Sequence, residues 1–278
     1  MEVNEYVVAR PSPALRPYVA HYSGYRQRGL PPGRHRGLPS PYLTLVLTID
    51  EPLVIAAHPD HRQAPGRYDA LLGGLHLSPA MITHPGRQSG VQVAVNPLGC
   101  RALFGLPAGE LANIDTDFAA VTGAATVAEL LDRLRLAGSW PARFAVVDQV
   151  LCRLALVREA SVHPDVARVF RRLVAAGGDV PIAALADEVG WSARHLTNRF
   201  HAEVGLRPKE AARVVRFDRV RRRLSPGVRL AEVAADTGYF DQAHLAREFR
   251  VFAGCSPSRW LADEIGFVQA NAVLLDED

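Results

Sequence analysis

The sequence predicts an α+β chain: an N-terminal β-barrel or sandwich, a helical connector, and an all-α C-terminal domain holding two tandem helix-turn-helix units. Three observations carry that expectation. Residues Tyr42 to Ile49 alternate strictly between two faces. Ten of the 20 prolines fall within the first 65 residues, which argues against long helices there. Between Pro181 and Trp260 one short helical pattern is written twice.

In the N-terminal part, Leu43, Leu45, Leu47 and Ile49 share one face of a strand, and Tyr42, Thr44, Val46 and Thr48 share the other. Val91, Val93 and Val95 alternate in the same way with Gln92, Ala94 and Asn96, and Leu75-His76-Leu77 after Gly73 and Gly74 marks a third strand. An all-β unit of about 110 residues follows from this spacing. A barrel of that size either holds one small molecule or is filled by its own side chains. The basic segment Gly33-Arg34-His35-Arg36-Gly37 reads first as a solvated loop and second as a clamp for an acidic effector. Arg34 and His76 are the candidate effector-binding residues. His58, His61, His76 and His84 are the histidines a metal would use, but His58-Pro59-Asp60-His61 reads as a polar loop without a carboxylate at ligand spacing. No metal and no other cofactor is expected.

Two helical stretches form the connector, Thr126 to Ala137 and Pro141 to Glu159, separated by Gly138-Ser139-Trp140-Pro141. In the second, Phe144, Val147, Leu151 and Leu154 make a short apolar seam. Such a seam pairs two protomers or packs on its own barrel, and the sequence leaves both open.

The duplicated pattern is the most informative part. Ile182, Leu185 and Ala186 precede Gly190, with Leu196, Phe200, Gly205 and Pro208 behind it; Leu230, Val233 and Ala234 precede Gly238, with Leu245, Phe249, Gly254 and Pro257 behind it. Asp179 and Pro181 fit the N-cap region and first turn of the first helix. Gly190 and Gly238 sit where a sharp reversal requires positive φ, and Ser192 and Asp241 are placed to cap the helices that follow. The pairs Leu196 with Phe200 and Leu245 with Phe249 face inward. The opposite stripes then hold Arg194, Thr197, Asn198 and His201 in one copy, and Ala243, Ala246, Arg247 and Arg250 in the other. Arginine bonds guanine in two places, asparagine does the same for adenine, and short side chains lie against a thymine methyl.

Leu185-Ala186-Asp187-Glu188-Val189-Gly190, His195-Leu196-Thr197-Asn198-Arg199-Phe200 and Gly238-Tyr239-Phe240-Asp241-Gln242-Ala243-His244-Leu245-Ala246-Arg247-Glu248-Phe249, followed by Ala253-Gly254-Cys255-Ser256-Pro257, resemble the AraC/XylS family of bacterial transcription regulators over about residues 165 to 262. The resemblance implies two DNA-reading units joined by one helix, with recognition helices 192–203 and 241–252 in successive major grooves. It implies base contacts from Arg194, Thr197 and Asn198, and from Gln242, Ala243, His244, Ala246 and Arg247. It also implies a cupin-like barrel that binds a small effector. The domains are then 1–125 (cupin-like, effector-sensing), 126–160 (connector), 161–262 (DNA-binding) and 263–278 (acidic tail). One position departs from the pattern: the aromatic expected three residues after Pro208 is Ala211, for which Phe217 is the candidate replacement, whereas Trp260 keeps its place in the second unit.

Charge agrees with this reading. Residues 161–260 carry 17 Lys and Arg against 11 Asp and Glu, and Arg213, Arg216, Arg219, Arg221, Arg222 and Arg223 gather on the joining helix, where they are expected to neutralise phosphates. Cys100, Cys152 and Cys255 lack metal-ligand spacing and read as small buried hydrophobes. No secretion signal or membrane-spanning run is visible, so a cytoplasmic protein is expected. A Gly-x-Ser-x-Gly elbow, a phosphate loop and a His-Glu-x-x-His helix are all missing from the sequence, so no catalytic residue is nominated and a non-enzymatic role leads. The alternative is a metal-dependent cupin-type enzyme fused to a DNA-targeting module. Double-stranded DNA, a small effector, RNA polymerase and a second copy of the chain are the candidate partners, and no membrane is among them.

Overall fold

The computed structural model describes residues 3–156 and 162–264. In chain order these form β1 (Val3–Ala9), β2 (Val19–Arg28), β3 (Gly33–Gly37), β4 (Leu43–Thr48), β5 (Leu53–Ala57), β6 (Gly66–Tyr68), β7 (Ala70–Gly73), β8 (Ala80–His84), β9 (Gln88–Val95), α1 (Cys100–Phe104), β10 (Asp115–Asp117), α2 (Phe118–Thr122), α3 (Ala124–Leu136) and α4 (Trp140–Leu156). The second half contains α5 (Pro164–Ala175), α6 (Ile182–Glu188), α7 (Ala193–Val204), α8 (Pro208–Arg223), α9 (Leu230–Asp236), α10 (Gln242–Ala253) and α11 (Pro257–Glu264). The architecture is α+β, as expected.

Two antiparallel sheets face each other, one ordered β1-β2-β9-β4-β7-β10 and the other β3-β8-β5-β6. Period-two alternation decides what each face of the larger sheet does. Leu43, Leu45 and Leu47 on β4 and Val91, Val93 and Val95 on β9 are fully buried in one cluster with Phe104, Phe118, Leu130, Phe144 and Leu151, so this face lies under the helices α1 to α4. The opposite face, with Thr44, Val46 and Gln92, turns toward the smaller sheet and lines a cavity. The third strand differs from the expectation around Leu75: β7 ends at Gly73, and the chain then turns, with the His76 ring Nδ1 donating to the Ser78 carbonyl at 2.6 Å.

Both connector helices form, close to their expected bounds; the stretch up to Glu159 lies partly outside the described residues. Trp140 and Pro141 begin α4 rather than interrupt it. The seam of α4 packs on its own chain: Phe144, Val147 and Leu151 are buried, Phe144 stacks on Tyr22 of β2 with ring centroids 5.8 Å apart, and the Tyr22 hydroxyl donates to Asp148 at 2.8 Å. Those side chains are therefore not available to a second protomer.

In the C-terminal half α8 runs between the two helical pairs. Ala211 is buried without an aromatic ring, and Phe217, fully buried, packs against Phe249 and Phe252 at 5.1 and 4.9 Å between centroids. Trp260 on α11 closes the same core against Phe249. Asp179 does not cap α6. That helix starts after Pro181, whose backbone takes the N-cap place without a side-chain acceptor, and Asp179 lies against Gly238 instead. The acidic stretch assigned to 263–278 begins inside α11, where Asp263 and Glu264 are helical; its remainder lies outside the described residues.

Truncation of Phe217 tests the placement of this core. Phe217→Ala is expected to lower the unfolding free energy of the C-terminal half by about 3 to 5 kcal/mol, as a large buried aromatic does on truncation. Urea denaturation followed by circular dichroism measures it, and a loss below about 1 kcal/mol contradicts the assignment.

Candidate nucleic-acid interface and barrel cavity

Each two-helix unit is built as the sequence requires. Gly190 and Gly238 turn the chain with φ of 68° and 78°, in the left-handed region that costs a glycine little. The Ser192 side chain accepts from the His195 amide at 3.2 Å and that of Asp241 from the His244 amide at 2.6 Å, so α7 and α10 start on the expected caps. Leu196, Phe200 and Val204, like Leu245, Phe249 and Phe252, are buried to within 1%.

The outward stripes follow from this orientation. On α7, Arg194, Asn198 and His201 are exposed, while Thr197 is half-buried and its hydroxyl donates to the Ala193 carbonyl at 2.8 Å. On α10, Gln242, Ala243, Arg247 and Arg250 are exposed and Ala246 is half-buried. His244 is turned aside, its ring edge against Tyr239 at 5.1 Å between centroids. Phe240 was not singled out as a surface residue by the sequence reading. It stands 93% exposed just ahead of α10, because Tyr239 takes the buried place beside it. Two adjacent aromatics before a capping Asp were the signal.

Charge is arranged differently from the expectation. Arg194, Arg199, Arg247 and Arg250 are exposed and, among the described residues, carry no ion pair. The arginines of α8, by contrast, are largely internal. Arg213 pairs with Glu248 at 2.6 Å, with Arg216 at 4.0 Å from the same carboxylate; Arg221 and Arg222 each lie 2.9 Å from Asp218; Arg223 pairs with Asp236. Burial alone would raise the Asp218 carboxyl, but the two guanidinium groups beside it hold it below the ordinary carboxylate range. The run expected to neutralise phosphates is thus engaged within the chain: Arg213, Arg216 and Arg223 join α8 to α10 and α9, and Arg221 and Arg222 pair with Asp218 on α8 itself.

The cavity between the sheets measures about 130 Å³ and is lined by His21, Ser23, Tyr25, Thr44, Gln92, His76 and Asp115, with Val46, Ile55, Leu71 and Ile82 as its apolar wall. Asp218, Arg221 and Arg222 of α8 line it too, so the chamber opens onto the joining helix. Of the two nominated effector residues, His76 lines it and Arg34 does not: residues 33–37 form β3, not a loop, and Arg34 is exposed on it. His35 and Gly37 of the basic segment line the cavity, while its two arginines do not. Arg36 reaches α11 instead, 3.0 Å from Glu264 and 3.3 Å from Asp263, while His35 is buried. Residues 58–61 lie in the expected loop after β5, but His58 is buried there, its Nδ1 donating to Asp115 at 2.7 Å. Among the described residues no group of three or more His, Cys, Asp or Glu is placed to hold a metal ion. Nor is any described helix long and apolar enough to cross a membrane.

A second set of contacts ties the barrel side to α7. Arg101 on α1 grips Glu203 with two hydrogen bonds of 2.7 and 3.0 Å, and the backbone of Gly109 lies against Ala202. The N-terminal half therefore touches the first reading unit, the joining helix and, through Arg36, the end of the second unit.

The family described as "Helix-turn-helix domain" matches residues 185–263, and the "Domain of unknown function (DUF6597)" matches residues 8–117. The chain is 31% identical over 67 residues to the "Uncharacterized HTH-type transcriptional regulator YbfI" of Bacillus subtilis, which is 24% of this chain and 24% of that protein; it thus spans about a quarter of the relative's length. In fold it is similar to ToxT from Vibrio cholerae, with a TM-score of 0.52 at 9% identity, covering 87% of this chain and 97% of ToxT. The ToxT structure described as bound to unsaturated fatty acid gives 0.51 at 9% identity over 95% of this chain and 98% of ToxT.

The Arg36 contact yields a pH test. Burial raises the Glu264 carboxyl from an ordinary 4.5 to about 7, although Arg36 pulls it down. A carboxyl that binds its proton more tightly when folded loses stability as pH rises between those two values. Glu264→Gln is expected to flatten this part of the stability profile. Urea titrations at about pH 5 and about pH 7.5 measure it, and an unchanged decline in the variant contradicts the assignment.

Proposed function

We propose that this AraC/XylS-family transcription regulator reads duplex DNA with α7 and α10 in successive major grooves, and that a small effector in the barrel cavity biases the reading. The observation that carries the proposal is the division of the arginines. Those on the outward stripes of α7 and α10 are exposed and without an ion pair among the described residues, whereas those of α8 face carboxylates or, for Arg219, the Asp236 carbonyl. An unpaired guanidinium is the group that direct readout of guanine needs. Arg194 and Asn198 read the first half-site, Gln242, Arg247 and Arg250 the second, with Ala243 and Ala246 close to thymine methyls. Thr197, whose hydroxyl is bonded within its own helix, contributes contact more than donation. Arg199, exposed beside the stripe, is placed for a phosphate, and Phe240 offers an aromatic face at the α10 end.

Control follows from the contacts of the barrel. ToxT, whose fold this chain shares, is described with an unsaturated fatty acid bound. Here the cavity is lined by both sheets and by α8, so an occupant touches the helix that fixes the spacing of the two units. An effector shifts the reader only through different affinities for its two arrangements. The Arg101–Glu203 and Arg36–Glu264 pairs are the contacts such a shift remakes.

Selection of sites from a random duplex library, followed by titration of variants, tests the reading. Arg247→Ala is expected to relax preference at one base pair by about 1 to 3 kcal/mol, with a smaller change on random duplex. Arg199→Ala is expected to lower the salt slope by about one, and Arg222→Ala to leave it nearly unchanged, since Arg222 faces Asp218. Equal losses on selected and random duplex for Arg247→Ala would refute base reading.

A further inference from the structure

One wall of the cavity holds two hydrogen-bond acceptors locked in place. Asp115 is 8% exposed, and its backbone is fixed on both sides by Gln63, which accepts from the Asp115 amide at 3.0 Å and donates to its carbonyl at 2.9 Å. Its Oδ2 accepts from His58 Nδ1, and the far nitrogen of that ring lies 3.4 Å from the Tyr68 hydroxyl. Oδ1 remains. It lies over Gly73, where a Cβ would come within 2.7 Å, so the missing side chain leaves this oxygen its room against the cavity. His76 supplies the second acceptor. Its Nδ1 faces a carbonyl, which only accepts, so Nδ1 carries the proton and Nε2 the lone pair. Burial holds this ring below the ordinary histidine value and keeps it neutral.

We propose that the cavity takes a compact organic amine, its ammonium on Asp115 Oδ1 and His76 Nε2 and its hydrocarbon body against Val46, Ile55, Leu71 and Ile82. The assignment rests on the reading of the barrel as an effector chamber and gives that effector a chemical class. Charge favours this orientation. On the α8 side Asp218 offsets one of the two guanidinium groups of Arg221 and Arg222, leaving that side one charge positive, whereas the inner wall presents the Oδ1 acceptor of Asp115. A cation is drawn inward and an acidic substituent, where the ligand has one, outward. A carboxylate at Asp115 would meet acceptors only. Size sets the remaining limit: about 130 Å³ approaches the roughly 150 Å³ of an engineered cavity that admits benzene, which corresponds to a ligand of about ten non-hydrogen atoms or fewer.

Isothermal titration of the full chain with benzylamine, benzyl alcohol and benzoate, matched in size, tests the proposal. Benzylamine is expected to bind tightest, and Asp115→Asn to weaken it by about tenfold or more, the usual worth of a charged hydrogen bond, while benzyl alcohol changes little. His76→Gln provides the same test if the asparagine variant does not fold. Benzoate binding tighter than benzylamine and lost in Arg221→Ala, or no probe binding to a preparation that still protects selected DNA, overturns the assignment. Amine binding by a preparation that protects no DNA would leave it standing and remove the regulatory reading instead.

Discussion

The packing of α8 between the two reading units is the constraint from which the other features follow. Its apolar side, centred on Phe217, is the floor on which Phe249 and Phe252 of the second unit rest, and its polar side brings Asp218, Arg221 and Arg222 to the barrel cavity. The apolar contact provides most of the adhesion, because a fully buried Phe is worth about 1.5 to 3 kcal/mol over an exposed one. The ion pairs contribute geometry more than stability. Removing one partner of a buried pair costs about 3 to 5 kcal/mol, yet the intact pair offers little net gain over an apolar substitute. Asp218 thus fixes where the two guanidinium groups stand, and with them where the cavity meets the helix.

This placement resolves an ambiguity in the composition. A surplus of basic residues in the C-terminal half is consistent with a DNA-binding surface, but the surplus divides into two populations with different surroundings. Guanidinium groups on α7 and α10 are exposed and carry no ion pair among the described residues, whereas those on α8 face carboxylates of the same chain or, for Arg219, the Asp236 carbonyl. On the proposed reading only the first population adds to a salt-dependent affinity. In that reading the helix that looks most basic in the sequence is the joint and not the grip.

Much of this was legible in the residues themselves. Turn glycines, capping side chains and inward i, i+4 pairs are local signals, and all three are realised in both units. The alternation around Leu45 and Val93 was equally readable, and its apolar face is the one under the helices. What could not be read depended on partners distant in sequence. His58 looks like a solvated loop residue until Asp115, 57 positions on, is brought to it and buries it. Arg36 looks solvated until Glu264 arrives from the other end of the chain. The seam of α4 carries the apolar period of a dimer helix, and only the position of Tyr22 shows that it is already covered.

The N-terminal half holds the reader at three points: Arg101 on α7, the cavity lining on α8, and Arg36 on α11. With the two units held this way, their separation on a duplex is a property of the fold. Hydroxyl-radical footprinting of the full chain on a selected site tests that most directly. Two protected stretches on the same face of the duplex, about one helical turn or 10 base pairs apart, are what two fixed wedges produce. A single protected stretch, or two on opposite faces, would contradict it.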